Sequence, residues 1–130
     1  MTAMRRVAIT GLGVVSSVGT GGSNFFAALL AAQSGIRAAD VAFPTGPESI
    51  LAGWIDFNPD EHFAKAKLLT MDRVSQFALV AAREAMRQAG LADTSSWGGL
   101  PPERFGVSVG TVSGGAGSLE MAYTALLGMV

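Results

Sequence analysis

Two glycine-rich turns, a single histidine, scattered serines and an Asp-Arg pair are the residues of this 130-residue chain with chemistry to offer. Gly110-Thr111-Val112-Ser113-Gly114-Gly115-Ala116-Gly117 stands between a β-branched run and a helical one, where glycines can turn backbone amides toward a phosphate or carbonyl oxygen. Its spacing is not Gly-x-Gly-x-x-Gly and it lacks a Gly-Lys-Ser/Thr end, so a tight packing turn competes with an anion loop. Gly11-Leu12-Gly13 also follows an apolar run. Val14 and Val15 take its continuation and no third glycine falls at the dinucleotide spacing, which argues against a nucleotide fold. His62, two residues after Asp60 near a helix start, would need metal ligands gathered from elsewhere and reads as a surface or cap residue. Ser16, Ser17, Ser113 and Ser118 form no Gly-x-Ser-x-Gly elbow and have no histidine nearby in sequence, so serine hydrolysis is unsupported. Asp72 suits the positive end of the helix it opens, whereas Arg73 does not, so the guanidinium either finds a partner or stands exposed. The absence of cysteine removes disulfides, cysteine-ligated zinc and thiolate catalysis within these residues.

Composition narrows the remaining classes. The chain is 49% hydrophobic and 15% charged, with nine Lys+Arg against ten Asp+Glu scattered singly or in pairs, so it carries no basic nucleic-acid stripe. Trp54, Trp97 and the phenylalanines lack the interleaved basic residues of a single-strand binding surface and read as core or interface anchors. Thr10, Gly11 and Gly13 break the apolar start too early for a signal peptide. No run approaches the roughly 20 apolar residues that cross a bilayer, and a cytoplasmic protein without a membrane span is expected. A mean hydropathy of +0.39 suggests apolar surface meant for another segment or subunit.

The elements that must position these residues follow from periodicity. Arg6 to Thr10 reads as a buried strand, and the glycine-punctuated stretch after it, to Gly19, as a loop. Ser23 or Asn24 can cap a helix through Leu30, with Phe26, Leu29 and Leu30 on its buried stripe and Gly35 available as its stop. Ile36 to Asn58 is an excursion of turns and short extended pieces such as Ser49 to Trp54. Asn58-Pro59-Asp60-Glu61 has the form of a cap, a first-turn proline and two acids, opening a short helix through His62 and Phe63. The strongest helix spans Met71 to Ala89, with Val74, Phe77, Ala78, Ala81, Ala85 and Ala89 on a broad apolar face and Gly90 as its end. Arg83, Glu84 and Arg87 mark its wet side. After a turn-rich linker, Phe105 to Gly110 reads as a second central strand, and a third helix is expected over Gly117 to Leu127. Strand, helix, strand at these separations predicts α/β with parallel pairing and right-handed crossovers.

Taken together, Arg5-Arg6-Val7-Ala8-Ile9-Thr10-Gly11-Leu12-Gly13-Val14-Val15-Ser16 resembles the opening of a β-ketoacyl-acyl-carrier-protein synthase. Phe26-Ala27-Ala28-Leu29-Leu30, Ser34-Gly35-Ile36, Phe57-Asn58-Pro59, Met71-Asp72-Arg73-Val74-Ser75-Gln76-Phe77-Ala78 and Ala81-Ala82-Arg83-Glu84-Ala85 continue the likeness in family order. The resemblance implies a thiolase-like α/β fold, of which residues 1–130 are a partial N-terminal domain. They would form the N-terminal part of the first α/β half, with a central mixed sheet and flanking helices.

That resemblance implies decarboxylative Claisen condensation of an acyl thioester with malonyl-carrier protein, in fatty-acid or polyketide synthesis. A cysteine thiolate both attacks and leaves well, and two histidines stabilise developing oxyanion charge. The family's cysteine, histidines and lysine are expected beyond Val130, so His62 inherits no catalytic role and the isolated chain should be inactive. No catalytic residue, cofactor site or metal site is assigned within it. The alternative is a structural or heteromeric interaction subunit of a type II polyketide or polyene synthase. A small-molecule binding module using the glycine turns ranks last. The resemblance also implies an acyl carrier protein, the remainder of the condensing-enzyme fold, and a homodimer or ketosynthase-like heterodimer as partners. It places Thr111, Val112, Ser113, Gly114 and Gly115 at the acyl pocket or dimer interface. Ser113 matches a position that gates the pocket and is often branched and apolar in elongating members; serine is smaller and polar, as a polyketide or polyene substrate would suit. Ser17 replaces a proline frequent in the family opening, so this loop need not be equally rigid.

Overall fold

The computed structural model describes residues 6–43, 46–93 and 97–128. A small hairpin comes first, with β1 (Val15–Ser16) antiparallel to β2 (Gly19–Thr20). It lies where the spacing predicts only a loop, closed by the Ser16 hydroxyl donating to the Gly19 carbonyl at 2.8 Å. Helix α1 (Gly22–Leu30) follows. Neither Ser23 nor Asn24 caps it: Gly21 is the N-cap, and Asn24 donates back to the Thr20 carbonyl. Nor does Gly35 stop it. The helix ends at Leu30, the Gln33 amide reaches the Ala28 carbonyl, and Ala32 supplies the left-handed residue at φ 52°.

The excursion contains more order than its turn residues suggest. Strands β3 (Arg37–Phe43) and β4 (Gly46–Ala52) pair antiparallel along their full length, from Arg37 opposite Ala52 to Phe43 opposite Gly46. The pattern Arg-Ala-Ala-Asp-Val-Ala-Phe alternates too weakly to announce a strand, and cross-strand pairing supplies what propensity does not. Arg37 ties down the hairpin base through an ion pair to Asp56 at 2.7 Å.

Asn58 caps a 3-10 turn at Pro59–Glu61 by accepting the Asp60 amide, as the sequence predicts, but the turn ends there and His62 is its C-cap. A four-residue helix, α2 (Lys65–Leu68), leads to α3 (Arg73–Gln88), the expected long helix. Asp72 is the N-cap of α3 and Gly90, at φ 74°, its left-handed terminator. Two 3-10 turns, Trp97–Gly99 and Pro102–Arg104, occupy the linker, and α4 (Ala116–Leu127) closes the described chain.

Both sheets among the described residues are two-stranded and antiparallel. Residues 6–10 and 105–110, predicted as central parallel strands, carry no ladder pairing there. A parallel strand needs neighbouring strands brought alongside by crossovers, and neither segment has one among the described residues. Ala28 and Phe63 are the buried apolar side chains in this set, while Trp54 remains about half exposed. No helix among the described residues is long and apolar enough to cross a membrane.

Candidate functional site

The long helix organises everything around it. A Cβ on Gly11 would overlap the Ala85 carbonyl, and one on Gly13 the Ala81 carbonyl. Two residues of extended chain rise about as far as four residues of helix, so the i, i+2 glycines track the i, i+4 alanines as the backbones run side by side. Gly11-Leu12-Gly13 is therefore a helix-packing device, which accounts for its failure to match a dinucleotide loop.

The same helix face supplies polar clamps that sequence reasoning missed. Glu84 accepts the Gly22 amide at 2.8 Å and the Val14 amide at 3.2 Å, while Gln88 accepts the Leu12 amide at 3.0 Å. The Glu84 carboxylate meets the opening amide of α1 and takes over the capping role expected of Ser23 or Asn24. Glu84 is half-buried, not on the wet side. Helical spacing held the signal: Ala81, Glu84, Ala85 and Gln88 form an i, i+3, i+4, i+7 stripe, whereas Arg83 lies about 100° away from Glu84. Arg83 is also engaged, donating to the His62 carbonyl at 3.1 Å with its guanidinium 4.8 Å from the Phe63 ring centroid.

At the opposite end of α3, the Asp-Arg mismatch resolves. Asp72 accepts the Ser75 backbone amide at 2.8 Å. That bond, and then one from the Ser75 hydroxyl, holds its carboxyl below the ordinary aspartate value against a slight desolvation. Arg73 turns away from the helix dipole, donates to the Ile55 carbonyl at 2.8 Å and lies 5.0 Å from the Phe77 ring centroid. His62 stacks on Phe57 at 5.0 Å, and Phe57 meets Phe77 edge-on, so two rings separate the imidazole from the space beyond Phe77.

That space is a cavity of about 550 Å³ between the starts of α3 and α4. Met71, Val74, Phe77 and Met121 give it apolar walls, and Asp72, Arg73, Ser113 and Ser118 are the polar residues of its lining. Of the five residues singled out in the second glycine turn, Ser113 and Gly115 line this cavity. Thr111 and Gly114 line an adjoining space of about 320 Å³ with Asp72, Val74 and Val109, and Val112 is exposed and borders neither. Gly115 sits at φ 77°, where an added Cβ would lie 2.9 Å from Asp72 Oδ2. The turn is thus fitted against the α3 cap. With no cysteine in the chain and His62 behind Phe57, the cavity has walls for an apolar chain but no thiol nucleophile. Among the described residues no three His, Cys, Asp or Glu side chains gather closely enough to hold a metal ion.

The described residues thus place helices on glycine-punctuated extended segments, with a cavity where α3 and α4 begin. Residues 4–127 match the family described as "Beta-ketoacyl synthase, N-terminal domain", and the chain belongs to that family. Its fold class is accordingly the N-terminal α/β half of a thiolase-like condensing enzyme. It is 37% identical over 122 residues to the "Tetracenomycin polyketide synthase ketoacyl synthase alpha subunit" of Streptomyces glaucescens, covering 93% of this chain and 28% of that protein. The "Actinorhodin polyketide putative beta-ketoacyl synthase 1" of Streptomyces coelicolor is 39% identical over 94% of this chain and 26% of its own length. The "3-oxoacyl-[acyl-carrier-protein] synthase 1" of Haemophilus influenzae is 32% identical over 96% and 30%, respectively. The chain therefore spans less than a third of the length of these curated relatives.

Proposed function

We propose that residues 1–130 are a partial β-ketoacyl synthase N-terminal domain serving decarboxylative Claisen condensation. In that reaction malonyl-carrier protein loses carbon dioxide, and the resulting carbanion forms a carbon–carbon bond to an acyl group held as a thioester, releasing the thiolate. The observation that carries this reading is the family match over residues 4–127. With no cysteine in these residues, the nucleophile is supplied by polypeptide outside them and the 130-residue chain alone is silent.

Within the reaction this segment supplies wall rather than reagent. Thr111, Val112, Ser113, Gly114 and Gly115 border the acyl pocket or a subunit interface; Ser113 and Gly115, on the cavity shared with Val74 and Phe77, support that assignment. The partners are an acyl carrier protein and a second ketosynthase subunit, identical or related, in the cytoplasm. Five relatives bear polyketide names, and Ser113 and Ser118 give the cavity lining two small polar residues that suit an oxygenated chain, which favours polyketide over fatty-acid synthesis.

Incubation of the purified chain with malonyl-carrier protein should release no carbon dioxide above background; turnover would overturn its silence. In the full-length condensing enzyme that carries this segment, Ser113→Phe should shorten the longest product. Unaltered product length would remove Ser113 from the pocket.

A further inference from the structure

We infer that the outer edge of β3 is a docking edge for an extended, basic polypeptide segment, which adds to the β3–β4 hairpin as a third strand and seats a lysine or arginine between Asp40 and Trp54. This goes beyond the condensing reaction and does not depend on it. The register of the hairpin carries the first step. Pro47 stands opposite Ala42 and has no backbone N–H, so the pairs that exchange two hydrogen bonds are the ones alternating with it: Phe43–Gly46, Val41–Glu48, Ala39–Ile50 and Arg37–Ala52. Ala38, Asp40 and Ala42 therefore turn their amides and carbonyls away from β4, and Pro47, Ser49 and Leu51 turn theirs away from β3.

The two edges are not equivalent. Pro47 removes a donor from the β4 edge, which blunts strand addition there. The β3 edge keeps every donor and acceptor, and β3 pairs with no strand other than β4 among the described residues. A cavity of about 230 Å³ is lined by Arg37, Ala38, Ala39, Asp40 and Trp54. Because successive strand residues point to opposite faces, a lining drawn from consecutive residues of β3 and none of β4 sets this cavity along the outer edge, with Trp54 as its further wall.

Charge selects the occupant. The Arg37 guanidinium is committed, lying 2.7 Å from Asp56 and donating to the Trp54 carbonyl at 3.4 Å. Asp40 is exposed and has no ion pair among the described residues, and Trp54, about half exposed, has no cation over its ring among them. An ammonium or guanidinium arriving between the two meets a carboxylate on one side and an aromatic ring on the other. The same carboxylate argues against a second copy of this chain. Whichever outward-turned residue of a copy's β3 sat opposite Asp40, be it Ala38, Asp40 or Ala42, the two Asp40 carboxylates would be direct or diagonal neighbours, and like charges so placed destabilise the pairing. An acidic strand meets the same repulsion, whereas a basic one gains both the edge hydrogen bonds and the charge contact.

The test titrates the full-length protein that carries these residues with short synthetic peptides of alternating threonine and valine, identical except for lysine, glutamate or proline at the centre. The lysine peptide should slow amide exchange at Ala38 and Asp40 about tenfold and leave Ser49 and Leu51 at their rates. Asp40→Asn, a change at an exposed side chain, should weaken that binding about tenfold, Asp40→Glu should retain it, and Trp54→Leu should weaken it about threefold. The glutamate and proline peptides should leave exchange unchanged. No protection of Ala38 and Asp40 at millimolar lysine peptide, protection of Ser49 and Leu51 instead, binding indifferent to Asp40→Asn, equal binding of the glutamate peptide, or self-association that protects β3 would each overturn the inference.

Discussion

The two ends of α3 hold their neighbours by different means. At its C-terminal half, residues 11–22 are pressed onto the helix by Gly11 and Gly13 and pinned by Glu84 and Gln88. At its N-terminal end, the turn at 110–117 meets Asp72 and Val74 around two open cavities, and the segment leading into it is bare. The difference teaches that residues 11–22 complete their contacts with α3 among the described residues, whereas residues 106–109 pair with no strand among them. Close backbone approach is local to one helix and one strand; a parallel ladder is not.

The sharpest way to break the comparison is at the closed end. Gly13→Ala drives a methyl into the Ala81 carbonyl and should cost about 3 kcal/mol, seen as a lowered urea midpoint. Glu84→Ala strips acceptors from the Val14 and Gly22 amides and should cost about 2 kcal/mol, with Glu84→Gln recovering part of it and amide exchange at Gly22 tracking both.

A gain is expected where α1 ends. Ala32 occupies the left-handed position that Gly90 fills at the end of α3, so Ala32→Gly should stabilise by roughly 1 kcal/mol and raise the thermal midpoint. Asp72→Ala tests the open end through pH. Because the folded carboxyl is held below its unfolded value, its contribution is complete above about pH 4 and fades as pH falls through the folded pKa. Denaturation midpoints of the two proteins should differ at neutrality and converge at low pH. Least of all, Val109→Thr should change the isolated chain by under about 0.5 kcal/mol, since the side chain is exposed and pairs in no ladder among the described residues.

The features legible in the sequence were those decided within a few residues. The Asp72 cap, the Asn58-Pro59 turn, the extent of α3 and the start of α4 within a residue all followed from local spacing. What escaped depended on distance. The charge of Glu84 predicts a solvated face, whereas its helical phase sets it beside Ala81 and Ala85. The β3–β4 pairing escaped because each strand is unconvincing alone and gains order from the other. Ala32 defied the expectation that a glycine must end α1, since two local hydrogen bonds enforce the turn regardless. For the cavity, the glycine turn was visible as a motif, but its opposing wall of Met71, Val74 and Phe77 required knowing that two helix starts face each other.

The carboxylate that finishes α1 lies 62 residues downstream of the amide it receives. At about 5–20 residues per second, a ribosome would reach that glutamate roughly 3–12 s after making Gly22. During that interval the nascent first helix has neither its distant acceptor nor the helix that carries it, and nine residues are too few to persist alone in water. Helix α1 is therefore made before α3 and settled only after it.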